Sequence, residues 1–238
     1  MKLLIGPSRA AYIGPGLNLE PHLNAACTLA FSLNEPMLLR TWSKMKGWSD
    51  WNQVSAALIP GGTLHHLKCS DQAKMVFYYL DPLQDKARLV TETLLHEARN
   101  TLCGIDSARL SLKDIEGCFP RCSRPESSSR IRHVLEEIEA CPARFNSIEE
   151  AASLACLSSS RFRALFAQEV GLPFRRYRLW RRMAHVAQAV SKGASLTDAA
   201  LGAGFSDSAH LSTSFKTMFG ISPGFLLSKD VEICCEVG

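Results

Sequence analysis

Nothing in the 238 residues provides a membrane-spanning helix, because no run approaches the roughly 20 consecutive apolar residues that one needs. The opening residues do not read as a secretory signal either, since their apolar stretch stops after Leu3, Leu4 and Ile5. A cytoplasmic protein without membrane contact is expected. A disulfide framework is missing as well. Nine cysteines, at 27, 69, 103, 118, 122, 141, 156, 234 and 235, are odd in number and irregular in spacing, so most are expected to be reduced and buried as small hydrophobes. Cys118 and Cys122 stand four apart, but no second pair completes zinc-site spacing. Cys234 and Cys235 are expected in a flexible tail, residues 229–238. Strong charge imbalance is lacking too. There are 27 Lys+Arg against 23 Asp+Glu, a net of +4, and 46% of the residues are hydrophobic. That balance excludes disordered and fibrous chains, and the length favours two domains.

The modest net charge is unevenly placed. Residues 1–129 hold 14 basic and 12 acidic side chains, whereas residues 130–228 hold 12 and 8. Within 161–182 there are seven arginines, Arg161, Arg163, Arg175, Arg176, Arg178, Arg181 and Arg182, against Glu169 alone. Arginine suits phosphates and guanine edges, so the excess points toward nucleic acid. Between the two parts, residues 119–129 carry two prolines and four serines with little to bury, which reads as a linker. Residues 1–118 and 130–228 are the expected domains on either side of it.

The N-terminal part reads as short strands. Apolar runs at 25–31, 37–42, 54–59 and 75–80 are separated by turn chemistry at Asn34, Gly61-Gly62 and Ser70-Asp71, which predicts a small barrel or sandwich. The period then changes to three or four residues over 84–102, predicting a helix, with a shorter one over 107–117. Such helices could flank the barrel or pair with a second subunit.

Residues 130–227 are helical in pattern and contain a repeat. Ser147 and Glu150 form a capping box ahead of a short helix, a break follows at 155–158, and a longer helix runs to Val170, ended by Gly171. In the second copy Ser195 and Asp198 open the short helix, residues 202–205 turn, and a helix runs from Ser208 to Phe219, ended by Gly220. Ala152, Phe166 and Gly171 thus correspond to Ala200, Phe215 and Gly220, with one more residue in the second turn. Small residues allow the helices to cross, and Phe162, Leu165, Phe166, Leu211 and Phe215 face back. A polar face remains on each longer helix, as a helix-turn-helix offers to the major groove. Two copies 48 residues apart make this much more specific than one.

Residues 131–227, and above all the run from Ala200 through Gly204, Phe205, His210, Phe215 and Gly220 to Pro223, resemble the DNA-binding domain of AraC-family transcription regulators. The resemblance covers about two fifths of the chain. It implies two reading units held apart by a connector, here residues 174–190, about 25 Å long and suited to grooves about 34 Å apart. By resemblance, base contacts fall to Ser160, Arg161 and Arg163 in the first unit and Ser208, Ala209, His210, Ser212 and Thr213 in the second. Phosphate contacts fall to Ser158, Arg175, Arg181 and Lys216. Two departures stand out. Cys156 occupies the position of the turn glycine, which implies either a strained residue or a different turn. Ala164 and Thr213 occupy positions where the family usually has arginine.

Ahead of it, residues 60–65 (Pro60, Gly62, His65) resemble one cupin motif, and Gly16 with His22 half of the other; Asn24 replaces a further histidine and the glutamate is missing. The overall expectation is an α+β protein: a cupin-like N-terminal β-barrel with flanking helices and an all-α C-terminal domain of two helix-turn-helix units. His22, Trp42, His65 and Phe77 are the pocket candidates for a small-molecule effector, with no metal, cofactor or catalytic residue expected. Double-stranded DNA is the expected partner, with RNA polymerase if the protein activates, which the resemblance favours, and a second copy as a homodimer. Two other readings compete. One is a cupin-type metal-dependent oxygenase or isomerase using His22 and His65, with His66 as a spare. The other is a thiol or metal-ion sensor using Cys118 and Cys122.

Overall fold

Alternating and continuous apolar runs build two stacked sheets in the computed structural model, which describes residues 1–6, 9–80, 89–120, 127–228 and 230–235. The strands are β1 (Lys2–Ile5), β2 (Ala10–Pro15), β3 (Leu19–Leu23), β4 (Thr28–Ser32), β5 (Met37–Ser43), β6 (Gly47–Trp48), β7 (Asn52–Val54), β8 (Ala56–Ile59), β9 (Leu64–Lys68) and β10 (Lys74–Tyr79). Helices α1 (Glu92–Cys103) and α2 (Leu112–Gly117) follow. The C-terminal part comprises α3 (Ser129–Ala140), α4 (Ile148–Leu154), α5 (Ser159–Val170), α6 (Phe174–Ser191), α7 (Leu196–Gly202), α8 (Ser208–Phe219), a 3-10 turn (Pro223–Leu227) and a last strand, β11 (Glu232–Cys235).

One sheet has the order β11-β1-β2-β10-β4-β8, and the other β3-β9-β5-β6 with β7 on β5. They are layered and open rather than closed into one ring. Strand β10 explains why its sequence is apolar without alternation. Met75, Phe77 and Tyr79 enter one core while Val76, Tyr78 and Leu80 enter another, so both faces of the sheet are covered. The second of these cores is closed by α1 and α2 through Leu95, Ala98, Leu102, Leu112 and Ile115. Helix α1 begins at Glu92, capped by Thr91, and the part of the predicted helix at 84–88 lies outside the described residues.

The terminal segment departs from expectation. Glu232–Cys235 is a strand, not a frayed tail, and pairs in parallel with all of β1. An exposed edge of β1 is an unpaired row of amides and carbonyls, and the last residues satisfy it. The Met1 ammonium donates to the Asp230 carbonyl at 3.0 Å and the Glu232 amide to the Met1 carbonyl at 3.0 Å, while Ile233 packs on the core.

The C-terminal helices do not share a single core. Ile131, Val134, Phe145, Ala152, Phe162, Phe166, Phe174 and Tyr177 close a core around α3, α4, α5 and the start of α6. From Trp180 onward, α6 and all of α7 and α8 bury their apolar side chains with the N-terminal sheets instead, in the core that holds Tyr12, Leu19, Phe77 and Tyr79.

The two helix-turn-helix turns are built alike. The Leu157 amide reaches back to the Ala152 carbonyl and the Phe205 amide to the Ala200 carbonyl, each at 2.9 Å. Both need one left-handed residue, supplied by Gly204 (φ +81°) in the second copy and by Cys156 (φ +52°) in the first. Cys156 is therefore the strained residue, at a cost of about 1–2 kcal/mol for an L side chain, partly offset by the lower chain entropy of a non-glycine residue when unfolded. Cys156→Gly is expected to raise stability by about 0.5–1 kcal/mol, read as a higher urea midpoint at unchanged slope. A lower midpoint would show that the thiol makes a contact worth more than the strain.

Candidate nucleic-acid interface

Each reading helix is fixed at its start by a side-chain cap. Ser158 caps α5 by accepting from the Arg161 amide (3.3 Å), and Asp207 caps α8 by accepting from the His210 amide (2.7 Å). The latter bond, with that from Ser206, holds the Asp207 carboxyl below its usual range. The short helices are capped likewise. Glu150 and Asp198 amides donate to Ser147 and Ser195, at 3.3 and 3.1 Å. The reciprocal half of the first box is shifted, because Glu150 Oε2 accepts from the Asn146 amide rather than from Ser147.

With Phe162, Phe166 and Val170 turned inward, α5 exposes Ser160, Arg161, Arg163 and Ala164. With Leu211, Phe215 and Met218 inward, α8 exposes Ser208, Ala209, His210 and Thr213, with Ser212 half-buried beside them. The His210 ring is held in place. It packs edge-on against Phe205 (5.3 Å between centroids) and its Nδ1 lies 3.1 Å from Ser206 Oγ, leaving Nε2 as the nitrogen for a base edge. Ser212 and Thr213 hydroxyls donate to the carbonyls four residues earlier, of Ser208 and Ala209. That turns the Thr213 methyl and Ala209 into apolar contacts of the kind a thymine methyl accepts.

The arginine run divides by role. Arg178 donates to the Phe145 carbonyl at 2.7 Å, and Arg182, 7% exposed, donates to the Pro142 carbonyl at 3.3 Å. Both tie the connector to the loop before α4, and burial lowers the pKa of each guanidinium. Arg176 lies against Gly62 in the turn between β8 and β9, where a side chain would collide with it. Arg161, Arg163 and Arg175 are exposed and Arg181 is half-buried. Composition alone could not separate these roles, since α6 carries its arginines on both of its packed faces.

Lys216 makes an ion pair with Glu20 of β3 at 3.0 Å. One turn on, the Gly220 backbone presses on the Glu20 carbonyl and on His22, leaving no room for a Cβ. The C-terminal end of α8 is thus seated on the edge of the second sheet.

The proposed pocket residues do not come together. A cavity of about 70 Å³ lies between the sheets and the C-terminal helices, lined by Tyr12, Phe77, Tyr79, Trp180, Phe215 and Phe219 among others, with Arg9 also in its wall. Of the four sequence candidates only Phe77 reaches it. Trp42 is 40% exposed, because the alternation of β5 turns Leu38, Arg40 and Trp42 outward. His22 and His65 are buried side by side, ring centroids 4.1 Å apart, and neither lines the cavity. Their Nδ1 atoms donate to the carbonyls of Glu20 and Thr63, both at 2.8 Å. Burial, and after it the neighbouring His65, push His22 down to about 3, and burial also lowers the pKa of His65. Among the described residues no group of three or more His, Cys, Asp or Glu side chains is placed to hold a metal. Cys118 is half-buried with its thiol pushed up by burial and by Asp114, and Cys122 lies outside the described residues. No described helix is long and apolar enough to cross a membrane. The aromatic wall from α6 and α8 was not anticipated. Its sequence signal is Trp180, Phe215 and Phe219 on helices whose other apolar residues already suffice for a helix-turn-helix.

Residues 151–229 match the family model described as a helix-turn-helix domain. The search of curated proteins gives no match. Among solved structures, ToxT from Vibrio cholerae aligns over 92% of this chain and 97% of its own, with TM-score 0.54 and 10% identity. ToxT described as bound to unsaturated fatty acid aligns over 91% and 95%, with TM-score 0.52 and 10% identity. A transcriptional regulator of AraC-type DNA-binding domain-containing proteins from Chromobacterium violaceum aligns over 41% and 88%, with TM-score 0.37 and 23% identity. The duplicated motif, its caps and the matched helix-turn-helix region define a DNA-binding transcription regulator. Residues 151–229 fall within that helix-turn-helix family, and the fold of the whole chain is similar to that of ToxT.

Arg163→Ala and His210→Ala are expected to weaken binding to a preferred sequence by about 1–3 kcal/mol each and to relax preference at one base pair. Titrations against the preferred and a scrambled duplex check this. Equal losses on both would remove these residues from base reading.

Proposed function

We propose that the protein is a cytoplasmic transcription activator whose grip on DNA is set by an apolar small molecule held between its N-terminal sheets and its second reading unit. The observation that carries this is the shared core. Trp180, Phe215 and Phe219 line one side of a cavity whose other side is Tyr12, Phe77 and Tyr79. A space of about 70 Å³ is smaller than the roughly 300 Å³ or more of an ordinary ligand site. An effector would therefore have to part α6 and α8 from the sheets, and a ligand that favours the parted state shifts the population toward it.

In this reading α5 contacts bases through Ser160, Arg161 and Arg163, and α8 through Ser208, Ala209, His210, Ser212 and Thr213. Ser158, Arg175, Arg181 and Lys216 hold phosphates, Lys216 only after leaving Glu20. Residues 1–118 form the sensor and 130–228 the reader, joined by 119–129, while β11 returns the chain to the sensor sheet. Activation brings RNA polymerase as a partner, and the outer face of α1 is the place for a second copy. ToxT is described in complex with unsaturated fatty acid and with a naphthyl-substituted butenoic acid. The apolar wall supports an effector of the same kind, an apolar carboxylic acid, whose carboxylate would take Arg9 from its present ion pair with Glu116.

An unsaturated fatty acid is therefore the probe. At about 100 times its Kd it should stabilise the fold by about 2.7 kcal/mol, and it should change affinity for DNA by the same factor by which DNA changes affinity for it. Ala187 of α6 also lines the cavity, and Ala187→Phe, which fills it, is expected to abolish both effects while leaving DNA binding within about twofold of the parent. No fatty-acid effect on the parent chain, or an undiminished effect on the variant, would contradict the assignment.

A further inference from the structure

The second sheet carries a surface that neither the reading helices nor the cavity use. Strand alternation turns Leu38, Arg40 and Trp42 of β5 outward together with His66 and Lys68 of β9. The Arg40 guanidinium lies between two indoles, 4.7 Å from Trp48 and 4.4 Å from Trp51, and donates to His66 Nδ1 at 3.1 Å. Its Nε is shielded and has no partner among the described residues. Lys68 sits over Trp51 at 5.0 Å. Beyond the indoles the β5–β6 hairpin ends in Lys44, Met45 and Lys46, all exposed, Met45 by 96%.

Residues 37–54 and 64–68 together hold Arg40, Lys44, Lys46 and Lys68 against one carboxylate, Asp50. No ion pair joins any of these four cations among the described residues. The unbalanced field is felt locally, because Arg40 and Lys68 add to burial in lowering the pKa of His66. The stacked guanidinium is also held in one plane, which suits a phosphate and reduces the ordering needed to bind it.

The position of this surface narrows the polyanion. The sheet order is β3-β9-β5-β6, and β3 is the strand on which Lys216 of α8 and Gly220, the residue that ends the helix, are seated. At about 4.8 Å per strand, the hairpin lies about 14 Å across the sheet from the seat of α8, under half of one duplex turn of roughly 34 Å. Once the helices hold DNA, flanking phosphates are the anions present at high local concentration. We propose that the β5–β6 hairpin, with Arg40 and Lys68 behind it, is a further DNA contact that binds backbone phosphates beside the segments read by α5 and α8.

The test uses the full chain with random-sequence duplexes of about 20 base pairs, enough for the two reading units, and about 40 base pairs. Lys44→Gln/Lys46→Gln should bind the longer duplex about 10-fold more weakly at low salt. Its slope of log affinity against log salt should fall by about 1.8, the counterions of two phosphates. On the shorter duplex, which reports the reading helices separately, variant and parent should agree. Lys44→Arg/Lys46→Arg should keep the parental slope, and circular dichroism checks that all chains are folded. Parental affinity and slope in the glutamine variant on the longer duplex would overturn the proposal. So would loss of self-association by sedimentation at an unchanged DNA slope, which would assign the surface to a second copy.

Discussion

The structure depends on one apolar contact, between the inner face of the first sheet and the aromatic side of α6 and α8. Tyr79 meets Trp180 at 5.7 Å and Phe219 at 5.6 Å between ring centroids, and Tyr12 stacks on Phe77 beside them. Aromatic burial of this kind dominates core energetics and imposes geometry through ring packing. Here it crosses from the N-terminal sheets to the helix-turn-helix region, so α7 and α8 complete their core only by resting on the sheets.

The connector helix is divided by that contact. Phe174 and Tyr177 anchor its first turns in the core of the first reading unit, while Trp180, Met183, Val186 and Val190 belong to the core shared with the N-terminal sheets. A shift of the sheets against α6 therefore moves one reading unit relative to the other, without a special hinge. The polar contacts at the rim, Lys216 with Glu20 and Arg176 with the β8–β9 turn, add position more than energy, since exposed ion pairs contribute about 0–1 kcal/mol. Strand β11 adds a second crossing of the same boundary, from α6 back to β1.

The repeat was the most legible feature of the sequence, because it is local. Caps at Ser147 and Ser195, left-handed stops at Gly171 and Gly220, and the inward Phe166 and Phe215 all follow from spacing within one helix-turn-helix. The strands of β4, β5, β8 and β10 were visible as apolar runs. What stayed hidden was long-range. His22 and His65 were read as pocket residues from a motif, yet their Nδ1 atoms are committed to neighbouring carbonyls and Gly220 covers His22. Trp42 was placed inside because it is aromatic, although the register of β5 turns it out. Cys234 and Cys235 were assigned to a tail because nothing within the last ten residues reveals that the edge of β1, at the other end of the chain, awaits a strand. The seven arginines looked like one patch until the carbonyls of Pro142 and Phe145 claimed two of them.

The central claim, that the second reading unit is completed by the N-terminal sheets while the first stands on its own core, is tested most directly by hydrogen exchange on the Tyr79→Ala chain. Removing that ring takes away the contact with Trp180 and Phe219 and nothing from the core around Phe162 and Phe166. The account predicts faster exchange in α7, α8 and the second half of α6, with protection in α4 and α5 unchanged. Loss of protection in α4 and α5 to the same extent, or parental protection throughout α7 and α8, would contradict it.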